Sequence, residues 1–83
     1  MKIRYFSWIR ETIGKAEESL VKPKEINTVH ELLEFLSKTS DGHTAALKER
    51  VFIKVAVNQV HADHKSLVAD GDEIAIFPPV TGG

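Results

Sequence analysis

One segment of the sequence constrains the fold most, because a local capping motif and a periodic apolar pattern both predict a helix there. Thr28 and Glu31 stand three residues apart in a capping-box pattern, where each side chain accepts a hydrogen bond from the other residue's backbone N–H. Apolar residues then follow at the i, i+3, i+4 and i+7 positions, namely Val29, Leu32, Leu33 and Leu36. We therefore predict one main helix over residues 29–38, with its apolar stripe on a sheet.

Most of the other apolar segments have strand patterns. Alternating or β-branched runs predict strands at residues 2–6, 18–22, 52–57, 60–62 and 73–77. Turn residues separate them at Asp41-Gly42, Asn58-Gln59 and Asp70-Gly71-Asp72. A short helix over residues 8–13, capped by Ser7 and ended by Gly14, and a further helical turn at residues 44–49 complete the prediction.

This order of elements predicts an α+β roll of the β-grasp type. A mixed sheet of about five strands would pack against the one main helix, with the first and last strands parallel neighbours at its centre. The 83 residues suffice for one domain. We place that domain at residues 1–77 and a flexible, extended tail at residues 78–83.

The tail has the composition of a segment that leaves the domain in a fixed direction. Pro78 and Pro79 have a restricted φ and no N–H for a ladder, so they end the last strand. The six residues from Pro78 onwards reach about 20 Å when extended. Gly82 and Gly83 carry no side chain and can pass a narrow channel, which Val80 and Thr81 would line. Phe77, at the root of the tail, is either an aromatic partner anchor or a core residue.

The Gly83 carboxylate is the candidate reacting group. Its reference pKa is about 3.3–3.7, so it is an anion at neutral pH and a poor electrophile until it is activated. The sequence contains no cysteine to store sulfur and no GxxxxGK[ST] phosphate loop. We therefore expect a separate enzyme to use ATP for the activation, while this chain binds no cofactor of its own.

Composition excludes several classes of function. The net charge is −1 and the basic residues are scattered, which argues against nucleic acid as a partner. No apolar run approaches the length of a membrane span, and Met1-Lys2-Ile3-Arg4 does not resemble a signal peptide. Together with the lack of cysteine, these features lead us to expect a cytoplasmic protein.

Other polar residues have simpler interpretations than catalysis. His61 and His64, with Asp63 between them, are too few to predict a metal site. We expect His30 on the helix surface and His43 in a loop. The adjacent Arg10 and Glu11 are interpreted as a solvated pair on the short helix, and no Ser-His-Asp arrangement stands out.

Several motifs together resemble one family. Asp70-Gly71-Asp72-Glu73-Ile74-Ala75, followed by Phe77-Pro78-Pro79-Val80-Thr81-Gly82-Gly83, is similar to the end of the small subunits of molybdopterin synthase, the sulfur carriers of molybdenum-cofactor synthesis. Arg10-Glu11 with Gly14, and Ala56-Val57-Asn58-Gln59, match the same family. The resemblance spans the whole chain and implies a ubiquitin-like β-grasp fold.

The resemblance also implies a mechanism and partners. An E1-like enzyme would adenylate Gly83, a sulfur donor protein would convert it to a thiocarboxylate, and the tail would enter the large synthase subunit. Sulfur would pass there to cyclic pyranopterin monophosphate and form the molybdopterin dithiolene. Two large and two small subunits would form a heterotetramer, in which the small subunit is not catalytic alone. The alternatives are a ubiquitin-like protein modifier, a thiamine-pathway sulfur carrier and a plain interaction domain with an inert tail.

Overall fold

The structure, a computed structural model, describes residues 1–79. Its elements in chain order are β1 (Lys2–Tyr5), α1 (Ser7–Ile13), β2 (Glu17–Ser19), α2 (Val29–Ser37), α3 (Asp41–Ala46), a 3₁₀ turn (Arg50–Phe52), β3 (Lys54–Val57), β4 (Val60–Ala62) and β5 (Glu73–Phe77). The main helix, the strand order along the chain and the two-residue turn before β4 are as predicted.

The strands form one mixed sheet with β5 at its centre. The order is β2-β1-β5-β3-β4. β5 runs parallel to β1 and antiparallel to β3, so both of its edges are hydrogen-bonded. The predicted α+β architecture, with parallel first and last strands side by side, is confirmed.

The capping box and the apolar stripe of α2 are both present. The Glu31 N–H donates to Thr28 Oγ1 at 3.2 Å, and the Thr28 N–H donates to Glu31 Oε1 at 3.1 Å. All four stripe residues are buried in the single core, with Val29, Leu32 and Leu33 at 0% exposure and Leu36 at 1%. Each such side chain stabilises the fold by roughly 1.5–3 kcal/mol before entropy is considered.

The start of α1 differs from the prediction. Ser7 is the first helical residue and not the cap, and it has a φ of 56°. Phe6 occupies the N-cap position in an extended conformation, and no side chain caps the helix. The predicted end is correct, because Gly14 has a φ of 90° and its N–H donates to the Arg10 carbonyl at 2.8 Å.

A third helix replaces the turn expected at Asp41-Gly42. α3 begins at Asp41, and the Ser40 side chain caps it by accepting from the His43 N–H at 3.2 Å. Gly42 has a packing role here. A Cβ at this position would lie 2.9 Å from the Thr12 carbonyl oxygen, so the missing side chain lets α3 approach α1 closely.

The bounds of three strands also differ from the prediction. β1 ends at Tyr5 and not at residue 6, and β2 covers Glu17–Ser19 and not residues 18–22. Phe52 belongs to the 3₁₀ turn and not to β3, and its side chain is 61% exposed.

The turn before β4 is tied to the start of β5. Asn58 and Gln59 have φ values of 50° and 70°, as expected for a two-residue hairpin turn. The Asn58 side chain accepts from the Glu73 N–H at 3.0 Å and donates to Asp72 Oδ1 at 3.1 Å. These bonds fix the entry of β5, and therefore the line along which the chain leaves the sheet.

Candidate functional site at the root of the tail

The root of the tail lies at the end of the central strand. Phe77 is the last residue of β5, and Pro78 and Pro79 follow it outside the strand, partly buried. Val80, Thr81, Gly82 and Gly83 lie outside the described residues. The roles assigned to these four residues from the sequence therefore stay predictions.

Phe77 lies on the sheet face that the helices do not cover. Along β5 the buried residues Ile74 and Ile76 alternate with the half-buried Glu73, Ala75 and Phe77. The ring of Phe77 is therefore on the face opposite to the core, which we call the open face. Of the two interpretations of Phe77, the structure favours the surface residue over the core residue, while partner binding stays a prediction.

Three rings form an aromatic cluster on the open face. The Phe77 ring centroid lies 6.5 Å from that of Phe6 and 5.6 Å from that of His61, in edge-to-face geometry. The Arg4 guanidinium carbon lies 5.5 Å from the Phe6 ring centroid. An exposed group of aromatic side chains with a neighbouring Arg is the composition that protein interfaces favour.

His61 and His64 do not converge. His61 belongs to the aromatic cluster, whereas Nε2 of His64 lies 2.8 Å from the Ile53 carbonyl oxygen. Among residues 1–79, no three His, Asp or Glu side chains are grouped as metal ligands. His30 is exposed in the first turn of α2, with Nε2 3.5 Å from Glu34 Oε2.

The Arg10 and Glu11 side chains are close but well solvated. The shortest distance between their charged atoms is 4.0 Å, and the side chains are 50% and 77% exposed. This geometry fits the interpretation as a surface pair, whose contribution to stability is small.

A partly buried network of polar side chains was not predicted from the sequence. His43 is not a loop residue, since it lies in α3 with 2% exposure. Its Nε2 lies 2.7 Å from Glu18 Oε2, and its Nδ1 lies 2.7 Å from Ser40 Oγ. The Tyr5 hydroxyl donates to the same Glu18 oxygen at 2.5 Å. The spacing of Ser40 and His43 is the only local signal for it, because nothing in the sequence indicates Glu18 as their partner.

The network shifts the pKa of two of its members. Burial raises the pKa of Glu18, but the hydrogen bonds from Tyr5 and His43, and the electrostatic attraction of His43 and Lys15, more than offset it and lower the pKa overall. Burial, followed by the bond to Glu18 and its negative charge, raises the pKa of Tyr5. Tyr5 therefore stays a neutral donor and Glu18 an ionised acceptor at neutral pH.

No helix within the described part of the chain is long and apolar enough to cross a bilayer.

Comparison with known proteins gives the family. Residues 3–83 match the ThiS family. The chain belongs to the ThiS family. The match includes the β-grasp domain and the tail, so both parts of the ThiS-family chain lie within it.

Relatives of this ThiS-family chain include two molybdopterin synthase sulfur carrier subunits. The protein of Escherichia coli (strain K12) is 34% identical over 100% of this chain and 99% of its own length. The protein of Haemophilus influenzae is 36% identical, with the same coverage. They confirm the resemblance inferred from the tail, the Arg10-Glu11 motif and the Asp70-Gly71-Asp72 turn.

The fold of the ThiS-family chain matches a solved structure. The crystal structure of small archaeal modifier protein 1 from Haloferax volcanii superposes with a TM-score of 0.74 at 30% identity, covering 96% of this chain and 97% of that one. The ubiquitin-like β-grasp fold implied by the resemblance is confirmed.

Proposed function

We propose that this ThiS-family chain is the sulfur carrier subunit of a molybdopterin synthase, with Gly83 as the residue that carries sulfur. The full-length similarity to sulfur carrier subunits that are 34% and 36% identical supports this proposal most directly. The Pro78-Pro79-Val80-Thr81-Gly82-Gly83 tail supplies a terminal carboxylate for the chemistry.

In the proposed reaction sequence, this carboxylate is first activated and then converted to the group that carries sulfur. A Gly83 oxygen attacks the α-phosphorus of ATP on a separate adenylating enzyme, which forms the acyl-adenylate and releases pyrophosphate. Sulfide that a donor protein delivers then attacks the acyl carbon and displaces AMP, which leaves a thiocarboxylate and releases a proton. The tail next enters the large synthase subunit, and the thiocarboxylate sulfur attacks a carbon of cyclic pyranopterin monophosphate. Water then cleaves the acyl–sulfur bond, which leaves the sulfur on the substrate and restores the Gly83 carboxylate. Two such transfers build the dithiolene of molybdopterin.

The folded domain contributes direction and docking. β5 is paired on both edges, so its end at Phe77 is held in a fixed position. Pro78 and Pro79 restrict the chain from that point, which lowers the entropy lost when the tail is ordered in a partner. The open-face cluster of Phe6, His61 and Phe77 would contact the same partners. In the assembly, two carriers would flank two large subunits.

The intact mass of the protein from its own cells tests the proposal. A thiocarboxylate replaces one oxygen atom with one sulfur atom, and this mass change should disappear when Gly83 is deleted. In an assay with purified partners, the protein lacking Gly83, or extended by one residue after it, should fold normally and transfer no sulfur. Sulfur transfer by either variant would contradict the proposal.

A protein modifier is the second candidate, and the structural likeness to small archaeal modifier protein 1 is the observation that favours it. A modifier would use the same adenylation, but Gly83 would end in an isopeptide bond to a lysine. Lysine conjugates of this chain without a thiocarboxylate form would therefore support the modifier and contradict the carrier.

A further inference from the structure

An apolar cleft opens beside the root of the tail, and we name it the root cleft. It encloses about 270 Å³ between α1, α3, the 3₁₀ turn and the chain after β5. Its lining includes Trp8, Ala46, Phe52 and Pro79, with the exposed Lys48 and Glu49 alongside.

Two large aromatic side chains of the root cleft face water. Trp8 is 48% exposed and Phe52 is 61% exposed, although Ile53 and Ala46 beside them are buried. A concave surface with this composition and flanking charges resembles the apolar centre and polar rim of a protein interface.

The chain's own last residues are a poor occupant for the root cleft. Val80 is the only apolar side chain beyond Pro79, and burying it would contribute roughly 1.5–3 kcal/mol. Ordering residues 80–83 would cost about 1–2 kcal/mol for each residue. The balance is unfavourable, so the occupant comes from another molecule.

The length of the tail limits how far from the root cleft that molecule can lie. Residues 80–83 span at most about 13–14 Å when extended. A protein that holds Gly83 in its active site must therefore bring its surface up to Pro79, which is itself part of the cleft wall. That surface would lie directly beside Trp8 and Phe52.

We propose that the root cleft receives an apolar side chain from the rim of the channel in the large synthase subunit, with polar groups of that rim beside Lys48 and Glu49. This inference rests on the proposed function. The large subunit is chosen as the occupant because the proposed function makes this chain a subunit of the same assembly, in which the exposed Trp8 and Phe52 would be covered.

Trp8 provides a direct spectroscopic readout of contact at the root cleft, since it is the only tryptophan in the sequence. The full-length protein is labelled with 5-fluorotryptophan, and its single ¹⁹F resonance is followed while the unlabelled large subunit is added. We expect the resonance to shift and broaden as the complex forms. A resonance that stays unchanged in a complex detected by another method would overturn the inference.

Two substitutions at neighbouring positions test how much the root cleft contributes to the affinity for the large subunit. Phe52→Ser removes a cleft side chain, whereas Val51→Ser removes a side chain that is 73% exposed in the same turn and does not line the cleft. We expect Phe52→Ser to raise the Kd for the large subunit about tenfold or more, and Val51→Ser to leave it within about twofold. The unfolding midpoints of both variants, compared with that of the wild type, show whether each variant is folded.

The outcomes separate this inference from the proposed function. Equal Kd values for the two variants, or a loss of affinity only for the adenylating enzyme, would overturn the root cleft as a site for the large subunit and leave the carrier function intact. A wild-type protein that neither binds the large subunit nor transfers sulfur to its substrate would refute both.

Discussion

Nε2 of His43 lies 2.7 Å from Oε2 of Glu18, although 25 residues separate the two in the sequence. The same Glu18 oxygen accepts from the Tyr5 hydroxyl, so the contact joins α3, β2 and β1. With Glu18 ionised, Nε2 of His43 donates to it, and Nδ1 of His43 lies 2.7 Å from Ser40 Oγ. In residues 1–79 no buried side-chain N or O atom lacks a partner, so the network is fully satisfied.

Glu18→Gln should flatten the pH dependence of stability. The pKa of Glu18 is lowered in the folded protein, so its contribution is present above its unfolded value of about 4.5 and is lost as the pH falls through the folded value. The free energy of unfolding, measured with urea at about pH 7 and about pH 3, should therefore fall more in the wild type than in the variant.

Glu17→Gln is the matched control for Glu18→Gln. Glu17 lies in the same strand with a half-exposed side chain, 3.3 Å from Lys2, and should change the pH profile little. Parallel profiles for the wild type and Glu18→Gln would show that Glu18 is not held as an ionised acceptor.

Gly42→Ala should destabilise the fold in spite of the better helix propensity of alanine. The new Cβ would lie 2.9 Å from the Thr12 carbonyl oxygen and 3.3 Å from the Ile13 Cα, both of which belong to the backbone of α1. Overpacking of this kind costs about 1–3 kcal/mol, whereas the propensity gain in a helix is at most about 1 kcal/mol. A raised urea midpoint would show that α1 and α3 do not approach each other this closely.

Leu33→Ala should remove a large part of the stability. Leu33 is fully buried within the core, and truncation of such a side chain costs roughly 2–5 kcal/mol. Leu67→Ala is the control, since that side chain is 76% exposed and its loss should change the free energy of unfolding by no more than about 0.5 kcal/mol. Similar urea midpoints for the two variants would place the α2 stripe on the wrong face.

Gly82→Val should separate folding from function. Gly82 lies in the predicted tail, after the last strand ends at Phe77, so we expect the unfolding midpoint to stay at the wild-type value. A β-branched side chain would obstruct a narrow channel, and adenylation or sulfur transfer with purified partners should fail. Normal turnover would mean that the channel tolerates a side chain at this position.

The parts of the fold that were predictable have local signals. The capping box of Thr28 and Glu31 and the α2 stripe lie within nine residues of each other, so the sequence itself specifies that helix. Asn58, which begins the hairpin turn, and Gly71, with a φ of 93°, are residue types that accept a positive φ. The parallel pairing of the first and last strands at the centre of the sheet followed from the number and order of the elements.

The parts that were missed depend on distant contacts. α3 contains Gly42 and Thr44, which have low helix propensity, and it is held by its approach to α1 and by the His43–Glu18 bond. Phe52 has high β propensity, but pairing in β3 begins only at Lys54, opposite Phe77. The register that brings Phe77 beside His61 cannot be read from either segment alone.

The central position of β5 has a mechanical consequence. Any enzyme that grips the last residues pulls along the axis of a strand bonded to β1 on one side and β3 on the other. Such a load acts in shear, so the backbone bonds on both edges must break together and cannot open one after another. The domain therefore resists tension on its tail, because its central strand cannot be peeled away from its neighbours one bond at a time.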